Sequence, residues 1–161
     1  MPSLYEISIP VFTKKLKSLS KIMEKGAAHE AVSNDQLVNT RLIADMENFT
    51  FQIQKVTDAA RFVAERLGKI TPIEYENNEK TYEELQERVK KTIEILESVK
   101  ESDFGSEEDD LSFTVKGYFL KHTGKSFILE WITPNFYFHL VTAYALLRKE
   151  GVNIGKRDFL F

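Results

Sequence analysis

The chain has 161 residues, of which 22 are basic and 25 acidic, so its formal net charge is -3, and 42% of its residues are hydrophobic. This composition suits one globular domain over residues 1–161 and argues against a non-specific nucleic-acid binder, which needs a basic surface. Because the chain has no cysteine, no secretory signal and no apolar run of the roughly 18 residues that span a membrane, we expect a cytoplasmic protein without membrane contact.

Helical periodicity begins close to the N-terminus. Between residues 4 and 31, apolar side chains recur at steps of three and four, which places them on one helix face: Tyr5, Ile9, Phe12, Leu16, Leu19 and Met23. Pro10 lies inside this run, where it either kinks the helix or marks its true start. Residues 32–36 then offer turn and capping side chains.

The second predicted helix has the most regular pattern. Its apolar residues alternate steps of three and four, as in a seam that faces a neighbouring helix: Met46, Phe49, Ile53, Val56, Ala60, Val63 and Leu67. Gly68 and Pro72 end it. After a polar connection, Thr81 and Glu84 form a capping box that starts a third amphipathic helix, extending to about Val99.

A short hairpin and a long final helix complete the pattern. Phe113 and Val115 alternate with polar residues, and Lys116-Gly117 separates them from residues 118–120, which predicts two short strands. The fourth helix should extend from near Lys125 to Lys149 and carries two apolar stripes, so we expect it to be buried on both faces. We therefore predict an all-α fold, an antiparallel four-helix bundle with a β-hairpin before the last helix.

Five segments in this order resemble the family known as domain of unknown function 1993, a branch of the DinB-like (DinB/YfiT) helical-bundle superfamily. These segments are residues 39–46, 52–60, 81–85, 134–148 and 151–160. The motif PNFYFH, from Pro134 to His139, is the most specific of them. The resemblance implies a four-helix bundle that forms a homodimer, and it implies no established activity.

Typical DinB-like proteins, by the same resemblance, hold a divalent metal through three histidines, one on the second helix and two spaced by four on the last. His139 matches the first of the last-helix positions, but Ala143 stands four residues later. The second helix offers Asp45, Asn48 and Gln52 and no histidine. We therefore predict no cofactor and an incomplete triad, and a metal, if bound, would be held by His139 with Asp45.

His139 is the leading candidate site residue. A histidine on a buried helix is usually a hydrogen-bonded core residue, and this interpretation is favoured over a ligand-binding role. In the alternative, the imidazole is the polar point of an aromatic-lined pocket. Its other polar candidates are Asn135, Tyr137, Thr142 and Tyr144, and its expected walls are Trp131, Phe136 and Phe138. Asp45, Asn48 or Gln52 would be its partner, and a carboxylate there would raise the pKa of His139.

The other polar candidates have simpler interpretations. Arg41 and Asp45, four residues apart, suit a helix-surface ion pair, and His29 and His122 are expected at the surface. The stretch from His122 to Ser126 is not a phosphate-binding loop, because Phe119 occupies the position of its first glycine.

Three functions remain open on the sequence. The favoured one is a protein that binds a small molecule or a protein partner without a complete metal triad. The alternatives are a DinB-like metal-dependent enzyme, of transferase or hydrolase type, with His139 as a ligand, and a purely structural or interaction bundle. No nucleophile or oxyanion site is identifiable, which favours binding over catalysis.

Overall fold

The computed structural model describes residues 2–161, and its elements follow the predicted order. In chain order they are α1 (Ile9–Ala27), α2 (Asn34–Asn39), α3 (Phe49–Arg66), α4 (Tyr82–Ser98), a 3₁₀ turn (Glu101–Asp103), β1 (Phe113–Val115), β2 (Tyr118–Leu120), α5 (Gly124–Ser126), a π-helical segment (Phe127–Ile132), α6 (Thr133–Lys149) and α7 (Lys156–Leu160). None of the helices in residues 2–161 combines the length and the hydropathy that a membrane span requires.

The four long helices form the predicted bundle. Helix α3 packs against α4 on one side and α6 on the other, and α1 closes the bundle mainly through α4. Their apolar stripes meet in one core, which contains Phe12 stacked on Phe136 with ring centroids 4.4 Å apart. The predicted four-helix bundle with a hairpin before the last helix is therefore confirmed.

Local signals explain where the helices begin. Helix α1 starts at Ile9 rather than at residue 4, because Pro10 lies in the first turn, where no backbone N–H is needed. The predicted capping box of α4 is present, with the Thr81 hydroxyl accepting from the Glu84 N–H. Helix α3 begins at Phe49, after the Asn48 side chain, which accepts from the Phe51 N–H.

Two details of the predicted elements are wrong, and the short helix α2 was not predicted. Met46 precedes α3, because Asn48 caps the helix after it. The capping side chain predicted within residues 32–36 is Ser33, which caps α2. On α6, one predicted apolar stripe reaches the surface at Phe138 and Val141, which are 57% and 48% exposed, because α6 packs mainly against α3.

The hairpin is short and is held by its aromatic side chains. Phe113 and Leu120 pair in antiparallel register, and the turn is Lys116-Gly117 as predicted. The Phe113 ring lies edge-on to Trp131 at 5.4 Å and to Phe127 at 6.0 Å. A two-stranded hairpin is marginal alone, so these contacts fix it against the beginning of the last helix.

A buried ion cluster joins α3 to α4. The Arg88 side chain, 2% exposed, donates to Asp58 at 2.8 Å and to Glu79 at 2.7 Å. Its Nε donates to the Thr57 hydroxyl at 2.7 Å. Burial alone would raise the pKa of Glu79, but the hydrogen bonds from Arg88 and Gln54 hold it below its ordinary value. The guanidinium is thus fully paired inside the bundle.

We expect the substitution Arg88→Met to lower the free energy of unfolding by about 3 kcal/mol, because it removes the cation closest to Asp58 and the one cation that pairs with Glu79 among the described residues. Urea denaturation followed by circular dichroism measures this loss. Lys90→Met, at an exposed position of the same helix, is the control and should change stability by less than about 0.5 kcal/mol. Equal losses in the two variants would contradict a structural role for the cluster.

Candidate functional site

A groove lies between α3, the hairpin and the helix that the π-helical segment and α6 form together. It encloses about 680 Å³, within the range of about 300–1,000 Å³ typical of small-molecule sites. Its walls are mostly apolar and aromatic: Phe51, Ala59, Phe62, Val115, Tyr118, Trp131 and Ile132. Its polar lining consists of Lys55, Asp58, Lys116, Asn135 and His139.

The spacing of side chains along two helices builds this groove. One face of the helix that ends in α6 carries Trp131, Asn135 and His139, because these residues follow one another at four-residue steps. On α3, Phe51, Lys55, Asp58 and Phe62 follow steps of four, three and four. This second stripe lies beside the apolar seam and faces the groove.

The helix is widened where Trp131 enters the groove. The Thr133 N–H donates to the Ile128 carbonyl, a π-helical bond, and Pro134 has no N–H to donate. The side-chain amide of Asn135 donates to the Trp131 carbonyl at 2.7 Å. The Asn135 Oδ1 atom has no protein partner among the described residues, so it remains an acceptor at the groove.

The orientation of the His139 imidazole follows from its partner. The Gln52 amide donates to the Glu47 carbonyl at 3.0 Å, so its Oε1 atom faces the imidazole. Oε1 is 2.8 Å from His139 Nδ1. Because Oε1 only accepts, Nδ1 carries the proton and Nε2 holds a lone pair. Nε2 has no hydrogen-bond partner in the described part of the chain and is not sealed from solvent.

The imidazole is neutral at physiological pH. Burial, followed by the positive charge of Lys55, lowers the pKa of His139 from 6.5 to about 4, while Asp58 acts in the opposite direction. Of the three candidate partners it is the amide of Gln52 that contacts His139, so the rise in pKa that a carboxylate would cause does not occur. The unfolded chain takes up a proton at His139 before the folded chain does, so this residue lowers stability as pH falls from 6.5 towards 4.

The structure separates the other predicted site residues into two sets. Trp131 and Asn135 lie in the groove with His139, and Gln52 contacts the imidazole from behind. Phe136 is core, Tyr137 packs on it, and Tyr144 contacts Phe159 of the tail. These three do not line the groove, and Thr142, also buried, is not among its lining residues.

The predicted Arg41–Asp45 pair is also wrong. Both residues lie before α3, where the chain is not helical, and Arg41 pairs with Glu47 at 3.2 Å instead. Asp45 is exposed and precedes α3, whereas Gln52, which contacts His139, lies in the first turn of α3. His122, predicted at the surface, is half-buried and packs against Phe113.

Several groove residues were not predicted: Phe51, Lys55, Phe62, Val115, Lys116 and Tyr118. The signal for the α3 set was present, since Phe51 and Phe62 are aromatic residues outside the seam of that helix. The hairpin residues carry no comparable signal, because the strands give no indication of which helix they cover.

The three-histidine metal site implied by the resemblance does not fit these residues. Gln52 Oε1 is taken by the imidazole, and Ala143 has no ligand atom. Asp45, the predicted second ligand, is on an exposed loop. Within residues 2–161 there is no group of three His, Cys, Asp or Glu side chains that could hold a metal ion.

Comparison with known proteins is consistent with the fold. Residues 4–160 match the sequence profile of the family described as domain of unknown function (DUF1993). The chain is similar to the crystal structure of a DinB family member protein from Shewanella denitrificans, with 35% identity and a TM-score of 0.87. The match covers 98% of this chain and 92% of that one. No curated protein matches the chain.

We expect Gln52→Glu to raise the pKa of His139 well above about 4, because a carboxylate at Nδ1 stabilises the imidazolium ion. Titration of the His139 ring by NMR between pH 3 and pH 9 measures the change. Gln36→Glu, at an exposed position of α2, is the control and should leave the titration unchanged. A His139 pKa that is the same in all three proteins would show that Gln52 does not orient the ring.

Proposed function

The chain belongs to the DUF1993 family and has a DinB-like bundle, and from this premise we propose that it is a cytoplasmic protein that binds a small molecule in the groove beside His139. The observation that carries the proposal is the unpartnered Nε2 lone pair in an aromatic-lined groove. Because Nε2 is open to solvent, a donor group of a ligand can take the place of water there.

The acceptors of the groove define what the ligand must offer. His139 Nε2 and Asn135 Oδ1 lie one helical turn apart and both accept hydrogen bonds. A ligand that presents an O–H or N–H group to them replaces water without leaving a polar group unpaired. The part of such a ligand that lies against the walls is apolar, because the groove walls are mostly apolar and aromatic.

Binding is favoured over catalysis by the same geometry. The neutral imidazole is held by a neutral amide, whereas general-base histidines are commonly tuned so that their pKa lies near the working pH. A pKa of about 4 makes His139 a weak proton acceptor. It remains a good hydrogen-bond acceptor across the physiological range.

The single tryptophan of the chain is Trp131, so its fluorescence reports on the groove alone. We expect phenol and other small neutral aromatic donors to change this fluorescence saturably. His139→Leu should weaken the binding of phenol about tenfold, because it removes one hydrogen bond worth about 1.4 kcal/mol.

The matched control is His29→Leu, which removes a histidine that does not line the groove. It should leave the affinity for phenol unchanged. If no small aromatic donor, neutral or charged, gives a saturable change up to its solubility, the proposed function is wrong. Binding that is the same in the His139→Leu variant would contradict the role of this residue.

A homodimer is a further part of this proposal. Phe138 and Val141, three residues apart on the outer face of α6, are 57% and 48% exposed. Large exposed apolar side chains on a helix face are typical of association surfaces. Sedimentation velocity should give a dimer mass at micromolar concentration.

Changing Phe138 and Val141 together to serine should give a monomer. Phe119→Ser, which alters an exposed residue of the hairpin, should not affect the mass. A monomer mass for the unmodified chain would contradict the dimer.

A further inference from the structure

The turn of the hairpin puts an unpaired positive charge at the groove. Lys116 has φ 47° and Gly117 has φ 84°, so both central residues of the turn are left-handed, as a type I′ turn requires. Asn, Asp or Gly is the usual first residue of such a turn, since the Cβ atom of most other residues crowds the following carbonyl oxygen in this conformation, at a cost of about 1 kcal/mol. Lys116 lines the groove and has no ion-pair partner among the described residues.

A second lysine lines the groove from α3. Lys55 Nζ lies 3.5 Å from Asp58, and 5.3 Å from the centre of the Phe51 ring. The Asp58 carboxylate is held more tightly by Arg88, at 2.8 Å, and also contacts Arg61 at 3.4 Å. Its negative charge is therefore shared among three cations, and Lys55 is the most weakly held of them.

The charges that line the groove consequently do not balance. Two lysines, Lys55 and Lys116, face one carboxylate, that of Asp58. The Asp58 charge belongs to the buried cluster, in which Lys55, Arg61 and Arg88 are opposed by Asp58, Glu65 and Glu79. Because that cluster is neutral as a whole, the charge of Lys116 is in excess.

The aromatic walls are open to contact. Tyr118 is 73% exposed and Phe62 is 41% exposed, although both line the groove beside Trp131. Aromatic side chains favour stacked or edge-on contacts with a planar ring. A planar apolar group would cover them, while its polar substituents reach the two lysines and the two acceptors.

Resting on the proposed function, we propose that the ligand of the groove is a small aromatic anion that also carries a hydrogen-bond donor, as an aromatic hydroxy acid does. Its ring lies against Trp131 and Tyr118. Its carboxylate is attracted by Lys55 and Lys116, and its hydroxyl donates to His139 Nε2 or to Asn135 Oδ1. Neutral aromatic donors use the same site with lower affinity.

Four probes separate the contributions of ring, donor and anion. Phenol has only the donor and benzoate only the anion, whereas 4-hydroxybenzoate and 3-(4-hydroxyphenyl)propionate combine both at two separations. Isothermal titration and Trp131 fluorescence measure their affinities at low and at physiological salt. We expect at least one hydroxy acid to bind about tenfold tighter than phenol or benzoate, and its affinity to fall with added salt.

The lysine at the turn is tested by Lys116→Met, which keeps the length of an exposed side chain without its charge. This variant should weaken the hydroxy acid about three- to fivefold, as expected for an exposed ion pair, and should leave phenol unaffected. Lys90→Met, which removes an exposed lysine that does not line the groove, should affect neither probe.

The outcomes distinguish the two proposals. If phenol binds but the hydroxy acids bind no tighter, or if Lys116→Met does not weaken them, the anionic ligand is wrong while the groove remains a binding site. If none of the four probes changes the Trp131 fluorescence or the His139 resonance, the groove does not bind small aromatic molecules and both proposals fail.

Discussion

The rotation of α3 about its own axis is the constraint on which the site depends, and the buried Arg88 side chain fixes it. Arg88 reaches from α4 to Asp58, to the Thr57 hydroxyl and to the carbonyl of Gln54, three positions on adjacent turns of α3. An apolar seam alone tolerates small rotations, since dispersion contacts are not directional. Hydrogen bonds to one guanidinium are directional, so they turn Gln52 towards α6 and the Phe51–Phe62 stripe towards the groove.

One residue, Gln52, accounts both for the neutral imidazole and for the lack, among the described residues, of metal ligands around His139. At the position opposite His139 the chain has an amide, and the amide is satisfied on both sides, by Glu47 and by the imidazole. A histidine or carboxylate there would have to be desolvated as a charge or as a metal ligand. The glutamine allows the same position to be buried without a charge, which is why burial governs the pKa of the ring.

How far the sequence could predict this molecule depends on the scale of the feature. The bundle, the capping box at Thr81 and the turn at Lys116 follow from local patterns of three or four residues, and the structure has all of them. The start of α3 was missed because Met46 continues the apolar seam by chance, while Asn48 supplies the stronger local signal, a side-chain cap. Gln52 was one of three candidate partners for His139. To choose among the three, one has to know at which residue α3 begins. The groove could not be predicted, because apolar periodicity does not indicate where the hairpin packs against the helices.

The attachment of the hairpin has a kinetic consequence for the groove. Its strands have three residues each and depend on Phe113, whose ring packs against Trp131 and Phe127, while the Lys116-Gly117 end extends without such contacts. Segments with few buried contacts open at a lower free energy than the core around them. We therefore expect this wall of the groove to detach by local unfolding at a lower free energy than the bundle. Amide protons of the hairpin should then exchange faster than those of α3, and a bound molecule would slow that exchange by keeping the wall closed.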